Sequence, residues 1–299
     1  LYRMNFQALL EEHGKRNADV TVAVIPRSED QASEFGLMKL ADDGRIVQFR
    51  EKPKGDLLRE MRCDTERFGL SKAQAAERPY LASMGIYVFK RAALEELLRD
   101  PAMIDFGHQV IPRAIESHAV YGFPFDGYWE DLGTAGAFYR ANIDLTSSKP
   151  HFDFHDMKAP IYTHARFLPP TRMERCEVRD SIVAEGALLK DAEIASSIVG
   201  IRAVVAGNVT VDQTLLMGAD YYEDEEEHAL NRRQGIPDIG VGPGSVLRHA
   251  IVDKNARIGA NVRILNEAGV QHHDGEGYYI RDGVVMIPKN GVIPDGTVI

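Results

Sequence analysis

Cysteine is nearly absent from this sequence: Cys63 and Cys176 are the only two in 299 residues. Two thiols so far apart give neither a disulfide framework nor zinc-ligand spacing, and that usage suits a reducing compartment. No apolar run approaches the roughly 20 residues that span a bilayer. No run of Lys and Arg offsets the net charge of −10, which argues against nucleic acid and anionic membrane as general partners. An anionic substrate must then be held by a few local cations. Leu1 opens within a helical pattern and not within a signal or transit segment, as expected of a piece of a longer chain. What remains is 44% hydrophobic and 27% charged, the balance of an ordinary soluble globular chain with room for two domains.

The first informative stretch is a hairpin. Gly36-Leu37-Met38-Lys39-Leu40 and Arg45-Ile46-Val47-Gln48-Phe49 flank Asp43-Gly44, a strong signal for two paired strands. The hairpin delivers Glu51 and Lys52 side by side onto a loop that Pro53 stiffens. A carboxylate accepts hydrogen bonds from sugar hydroxyls, and an ammonium is a compact charge suited to phosphate. The pair suits a sugar phosphate. Taken alone, a solvated surface ion pair is the commoner meaning of such a pentapeptide.

Around it, residues 4–13 read as a helix ended by Gly14, and 20–25 as a strand covered on both faces. Residues 80–89 form another buried strand, in which Ser83 either bonds backbone or faces a ligand. Helices are expected at 92–98, 106–117 and, behind a Thr134 cap, 135–145. The second dense motif runs from Gly127 to Thr134 and holds Trp129, the one tryptophan. Its Asp131 either bonds the turn's backbone N–H groups or holds a divalent cation beside a phosphate. Magnesium sites commonly use one or two carboxylates plus substrate oxygens.

A linker rich in Pro and aromatics is expected at 147–170. From Arg175 onward, apolar residues recur at every sixth position: Ile182, Leu188, Ile194; then Val246, Val252, Ile258, Ile264; then Ile287, Ile293, Ile299. A six-residue repeat predicts a parallel β-helix, whose coils must stack to bury their apolar sides. Two stretches interrupt it. Residues 219–238 carry an acidic run, Glu223 to Glu227, expected as a helix with a solvated face and no catalytic role. Residues 266–279 are expected as a mobile polar loop, and its His272-His273 lacks a third metal ligand nearby in sequence.

Together these motifs resemble glucose-1-phosphate adenylyltransferase (ADP-glucose pyrophosphorylase) of the plant, algal and cyanobacterial type. The residues that carry the resemblance are Glu34 to Met38, Phe49 to Gly55, Tyr80 to Phe89, Gly127 to Thr134, Arg166 to Pro170, Met217 to Glu223 and Asp253 to Gly259. Tyr278 to Arg281 leans toward the large, regulatory-type subunits. The implied fold is α/β: a Rossmann-like (GT-A-like) nucleotidyltransferase domain over 1–146, then the linker, then a left-handed parallel β-helix over 171–299. The implied reaction converts ATP and glucose 1-phosphate to ADP-glucose and pyrophosphate with Mg²⁺, in starch or glycogen biosynthesis. By motif match Gly36 admits the glucose, Glu51 accepts from its hydroxyls, Lys52 holds its phosphate, Ser83 adds a contact and Asp131 helps hold Mg²⁺. Arg166, Lys254 and Lys289 match positions that bind allosteric sugar-phosphate-type activators and inorganic phosphate.

The resemblance also implies a homo- or hetero-tetramer, placed in the plastid if plant or algal and in the cytoplasm if cyanobacterial. The family's Gly-rich ATP loop and a further metal-binding Asp would lie upstream of Leu1, so this piece alone is expected not to turn over. Competing readings are a non-catalytic regulatory subunit or binding protein of the same plan, another sugar-nucleotide pyrophosphorylase, and a hexapeptide-repeat acyltransferase. The last needs a histidine aimed into a coil cleft, and His249 has no evident partner.

Overall fold

Val20–Arg27 (β1) is buried at every residue but the last, and it becomes a strand with a neighbour on each side. Gly36–Leu40 (β2) and Ile46–Glu51 (β3) form the expected hairpin. Its turn is tied by Ala41 N–H to Arg45 O at 2.8 Å and by Arg45 N–H to Asp43 Oδ1 at 2.9 Å. Tyr80–Phe89 (β4) and Val120–Pro124 (β5) complete a five-stranded sheet in the order β3-β2-β4-β1-β5. Only β1 and β5 run parallel; the other pairings are antiparallel. In this computed structural model, which describes residues 1–299, the sheet belongs to one compact unit, Tyr2–Trp129. Helix Phe6–Lys15, capped by Asn5, buries Leu9. Val22, Val24, Met38, Leu81 and Ile111 form one core cluster, and Leu37, Tyr80, Met84 and Trp129 belong to another.

The second unit is Glu130–Ile299, with Leu1 grouped into it. Its helix Ala135–Asp144 starts at the expected Thr134 cap, whose side chain accepts from Ala137 N–H at 3.1 Å. That helix packs on the strands that follow: Tyr139 clusters with Leu215, Ile251 and Val284, and its hydroxyl donates to Gln213 O at 2.6 Å. The expected linker, 147–170, therefore lies inside this unit.

From Arg172 on, short strands pair in parallel with the coil before and the coil after. The inward row runs Leu189, Ile194, Val199, Val205, Val211, Leu216, then Val241, Leu247, Val252, Ile258, Ile264, then Ile287 and Ile293, all buried. A small residue often sits two positions earlier, as at Ala192, Ser197, Ala203, Ser245, Ala250 and Ala256. The two buried serines are satisfied within the stack: Ser245 Oγ donates to Gly259 O at 2.9 Å and accepts from Val262 N–H at 3.0 Å.

The strict six-residue count needs correcting. Leu189 pairs with Val205 and Ile194 with Val211, coil steps of 16 and 17 residues. Some coil faces are five residues long, with corners turned by left-handed residues such as Asp191, Ser196 and Gln213. A count begun at Ile182 therefore lands on Leu188, which is 41% exposed, one residue off the inward Leu189. Val246 is displaced from Leu247 in the same way. The later members, Val252, Ile258, Ile264, Ile287 and Ile293, do point inward.

Both interruptions are structured. Helix Glu225–Gln234 carries a capping box made by Asp224 and Glu227. Glu223, expected on the solvated face, is instead 3% exposed and ion-paired with Arg257 at 2.6 Å. It also accepts from Ile239 N–H at 2.6 Å and from Asn231 at 2.8 Å, so it pins the helix to the coils. The expected loop at 266–279 contains strand His272–Gly275, which hairpins onto Tyr278–Arg281 and through it onto Val284–Ile287. Gly277, with φ +77°, makes that turn possible.

Candidate functional site

β3 runs two residues further than the sequence suggested. Glu51 therefore ends the strand, paired with Gly36 across the ladder, and Lys52 alone begins the loop. Lys52 has φ +42°, unusual for a side chain with a Cβ. Its N–H donates to Phe35 O at 3.1 Å, which holds that turn. The Lys52 side chain is exposed.

The Glu51 carboxylate sits between two glycines. A Cβ on Gly36 would meet Glu51 Oε2 at 2.7 Å and the Phe49 ring at 2.6 Å. A Cβ on Gly107, in the turn that opens the helical segment Phe106–Val110, would meet the same Oε2 at 2.9 Å. The second glycine had no sequence signal, because its partner is 56 residues away.

Ser83 reaches this place through a bulge. Val22 pairs with Tyr87 and Val24 with Ser83, so β4 spends extra residues there, with Gly85 at φ +69°. Bulges of this kind re-aim side chains and are common beside active sites. Ser83 Oγ accepts from Gly85 N–H at 3.2 Å, so the hydroxyl bonds backbone as well as facing the site. Its hydroxyl also meets Tyr87. Burial pushes the Tyr87 phenol up; the Ser83 bond opposes this, and the charges of Glu51 and Asp105 add to it. Tyr87 stacks on Phe106, ring centres 5.8 Å apart. Asp105 caps the next turn through His108 N–H at 2.6 Å. The structure thus brings Gly36, Glu51 and Ser83 together, and adds Tyr87, Asp105 and Gly107. The resulting surface offers carboxylate acceptors, hydroxyls and an aromatic face, the groups that bind a polyol.

Asp131 belongs to the second unit. It is exposed and accepts no hydrogen bond from its turn, so the backbone-bonded alternative does not describe it. Thr134 does the capping instead. Its charge bears on the Leu1 ammonium, and an exposed carboxylate that accepts no hydrogen bond fits the donor chemistry of a magnesium ligand.

On the coil stack, Lys254 and Lys289 meet at one carboxylate, Asp220, at 3.0 and 2.6 Å. Their hydrogen bonds hold Asp220 far below the usual carboxylate range, with Lys289 the larger influence. No local pattern marks Asp220, because it precedes its partners by 34 and 69 positions. Arg166 is exposed on the extended stretch before the first coil and makes no hydrogen bond or ion pair with this cluster. His249 packs against the Tyr139 ring at 4.5 Å, and burial lowers its pKa. It helps seat the helix and does not face a coil cleft.

Residues 1–148 match the family model for nucleotidyl transferase, and residues 166–298 match that for the GLGC left-handed parallel beta-helix domain. The chain is a nucleotidyl transferase domain followed by a GLGC-type β-helix. Its parallel coils are accordingly left-handed. In this nucleotidyl transferase domain, the glycine-flanked Glu51 and the bulged Ser83–Tyr87 pair lie on β3 and β4, and the exposed Lys52 follows β3 directly. Glu223, His228 and Asp238 gather elsewhere on the GLGC-type β-helix. Arg257 and two hydrogen-bond donors already satisfy Glu223, and His228 Nδ1 lies 2.9 Å from Asp238. That group fastens the inserted helix.

Proposed function

We propose that this chain is part of a sugar-nucleotide pyrophosphorylase, and specifically one that makes ADP-glucose and pyrophosphate from ATP and glucose 1-phosphate. The observation that carries the reading is the Glu51 carboxylate fixed between Gly36 and Gly107 beside Ser83 and Tyr87, with Lys52 next in the chain. The GLGC-type β-helix supports the ADP-glucose choice among sugar nucleotides.

The chemistry asks for positioning and charge neutralisation more than for covalent catalysis. A phosphate oxygen of the sugar phosphate attacks the α-phosphorus of the nucleotide in line, and pyrophosphate leaves. Glu51 orients the hexose by accepting from its hydroxyls, and Gly36 and Gly107 keep that carboxylate in place. Ser83 and Tyr87 supply hydroxyls that both donate and accept. Lys52 neutralises the phosphate charge, which matters in a chain of net charge −10. We assign Asp131 to Mg²⁺, which when bound screens phosphate charge. We assign Lys254 and Lys289 to effector anions such as inorganic phosphate, with Arg166 a separate cation for the same class of ligand.

Calorimetric titration with glucose 1-phosphate tests the reading. Lys52→Ala and Glu51→Gln should each weaken binding by about tenfold or more, the loss of one charge-assisted hydrogen bond. Affinity unchanged in both variants would sink the proposal.

A further inference from the structure

Asp220 is the one carboxylate on which two lysines of the coil stack converge. Lys254 follows strand Val246–Val252, and Lys289 follows strand Val284–Ile287. Those strands are neighbours, with Val252 paired to Ile287, so the stack sets one lysine directly over the other at a single corner. Two ammonium groups stacked this way repel unless an anion lies between them. Asp220 supplies it from the first residues of the 219–238 insertion: Oδ1 lies 3.0 Å from Lys254 Nζ and Oδ2 lies 2.6 Å from Lys289 Nζ. Asn255 completes the corner. Its Nδ2 donates to Asp220 Oδ2 and to Asn290 Oδ1, each at 3.2 Å, and its Oδ1 accepts from Asp220 N–H at 2.8 Å.

This is a bridging oxyanion geometry, one oxygen to each cation, made by a residue of the chain itself. The Asp220 charge faces both ammonium groups directly, while the Asp253 charge bears on Lys289 without an ion pair to either, so Asp220 is the carboxylate that an incoming anion must displace. The three side chains are between 33% and 51% exposed, which leaves them within reach of a solute. Asp220 stays ionised well below neutrality, so protonation does not clear the corner at ordinary pH.

We propose that Asp220 is an internal counter-ion that occupies the Lys254–Lys289 anion site, and that an effector phosphate competes with it for the two ammonium groups. The inference rests on the reading of these lysines as effector ligands given above. Its consequence is that Asp220 sets the affinity of the site. It also makes the start of the insertion responsive to anion binding, while Arg257, which donates to Pro237 O at 2.8 Å, holds the other end of that insertion in either case.

The test is titration of the whole chain with inorganic phosphate at fixed ionic strength, followed by calorimetry. Asp220→Asn keeps the shape and the backbone bond to Asn255 but removes the charge. It should bind phosphate about tenfold more tightly, since a like charge no longer opposes the ligand. Asp220→Glu, charged again, should return toward the weaker wild-type value, and adding Lys289→Met to Asp220→Asn should abolish the gain. Thermal melts confirm that each variant is folded, and Asp220→Ser serves if the asparagine variant is not. Phosphate binding that Lys254→Ala weakens but Asp220→Asn does not tighten overturns the counter-ion role and leaves the effector reading intact. Absence of phosphate binding in wild type and Asp220→Asn alike overturns the effector reading, and the counter-ion role with it.

Discussion

Gly36 and Gly107 show how much of the site depends on side chains that are absent. Both flank the Glu51 carboxylate, but they differ in what else an added methyl would strike. At Gly36 it would also press the Phe49 ring, which is 9% exposed and packed in the sheet's core, so that ring cannot yield freely. At Gly107 the neighbours within 3.5 Å are the tips of the Glu51 and Asp105 side chains. Gly36→Ala should therefore cost about 1–3 kcal/mol of stability, as overpacking does, and weaken glucose 1-phosphate binding. Gly107→Ala should melt close to wild type yet lose about tenfold in affinity by displacing the carboxylate. Melting temperature and titration measured on both variants separate the two effects. Gly107→Ala with wild-type affinity would show that the placement of Glu51 is not what binds the sugar. From sequence, Gly36, Glu51 and Ser83 were legible because each lies inside a recognisable motif. Gly107 and Asp105 lie in no such motif, and Tyr87, although inside the Tyr80-to-Phe89 stretch, meets Ser83 and Glu51 only because of the bulge at Gly85.

At the scale of single elements, the coil stack was legible as a kind of structure and misread in its phase. The composition of each face, an aliphatic residue with a small one two positions before it, carries the β-helix signal. A strict period of six does not carry the register, because left-handed corners at Asp191 and Ser196 cut some faces to five residues. Once the phase slips by one, an inward position becomes an outward one, just as in a slipped strand. Adjacent leucines test this without any change in composition. Leu189→Ala removes a side chain only 2% exposed and should cost about 2–5 kcal/mol. Leu188→Ala, at 41% exposed, should stay within about 0.5 kcal/mol. Equal costs in urea unfolding would mean that the stated register is wrong. The insertions follow the same lesson. The acidic run does form a helix with a solvated face, but Glu223 at its threshold faces Arg257, a partner 34 residues on that no local pattern reveals.

At the scale of the whole chain, the composition change near residue 147 marks where the linker begins, while the contacts change between Trp129 and Glu130. The difference is the helix Ala135–Asp144. Its sequence reads as the end of the first domain, since it follows the Gly127-to-Thr134 motif directly. Its apolar side, however, covers Leu215, Ile251 and Val284 on the coil stack, and Tyr139 adds a hydrogen bond to Gln213 O. These contacts join residues more than 70 positions apart, which is why no local reading assigns the helix to the stack. Two pieces of the chain decide whether it belongs there. A fragment of residues 130–299 keeps both apolar clusters of the stack whole and should unfold in one cooperative transition. A fragment of residues 147–299 uncovers three large aliphatic side chains, each worth about 1.5–3 kcal/mol when fully buried. It should melt at a clearly lower temperature, and adding back the helix as a peptide should not restore it at micromolar concentration, because the covalent link no longer supplies the effective concentration. Identical melts for the two fragments would return the helix to the first domain and move the boundary to the linker.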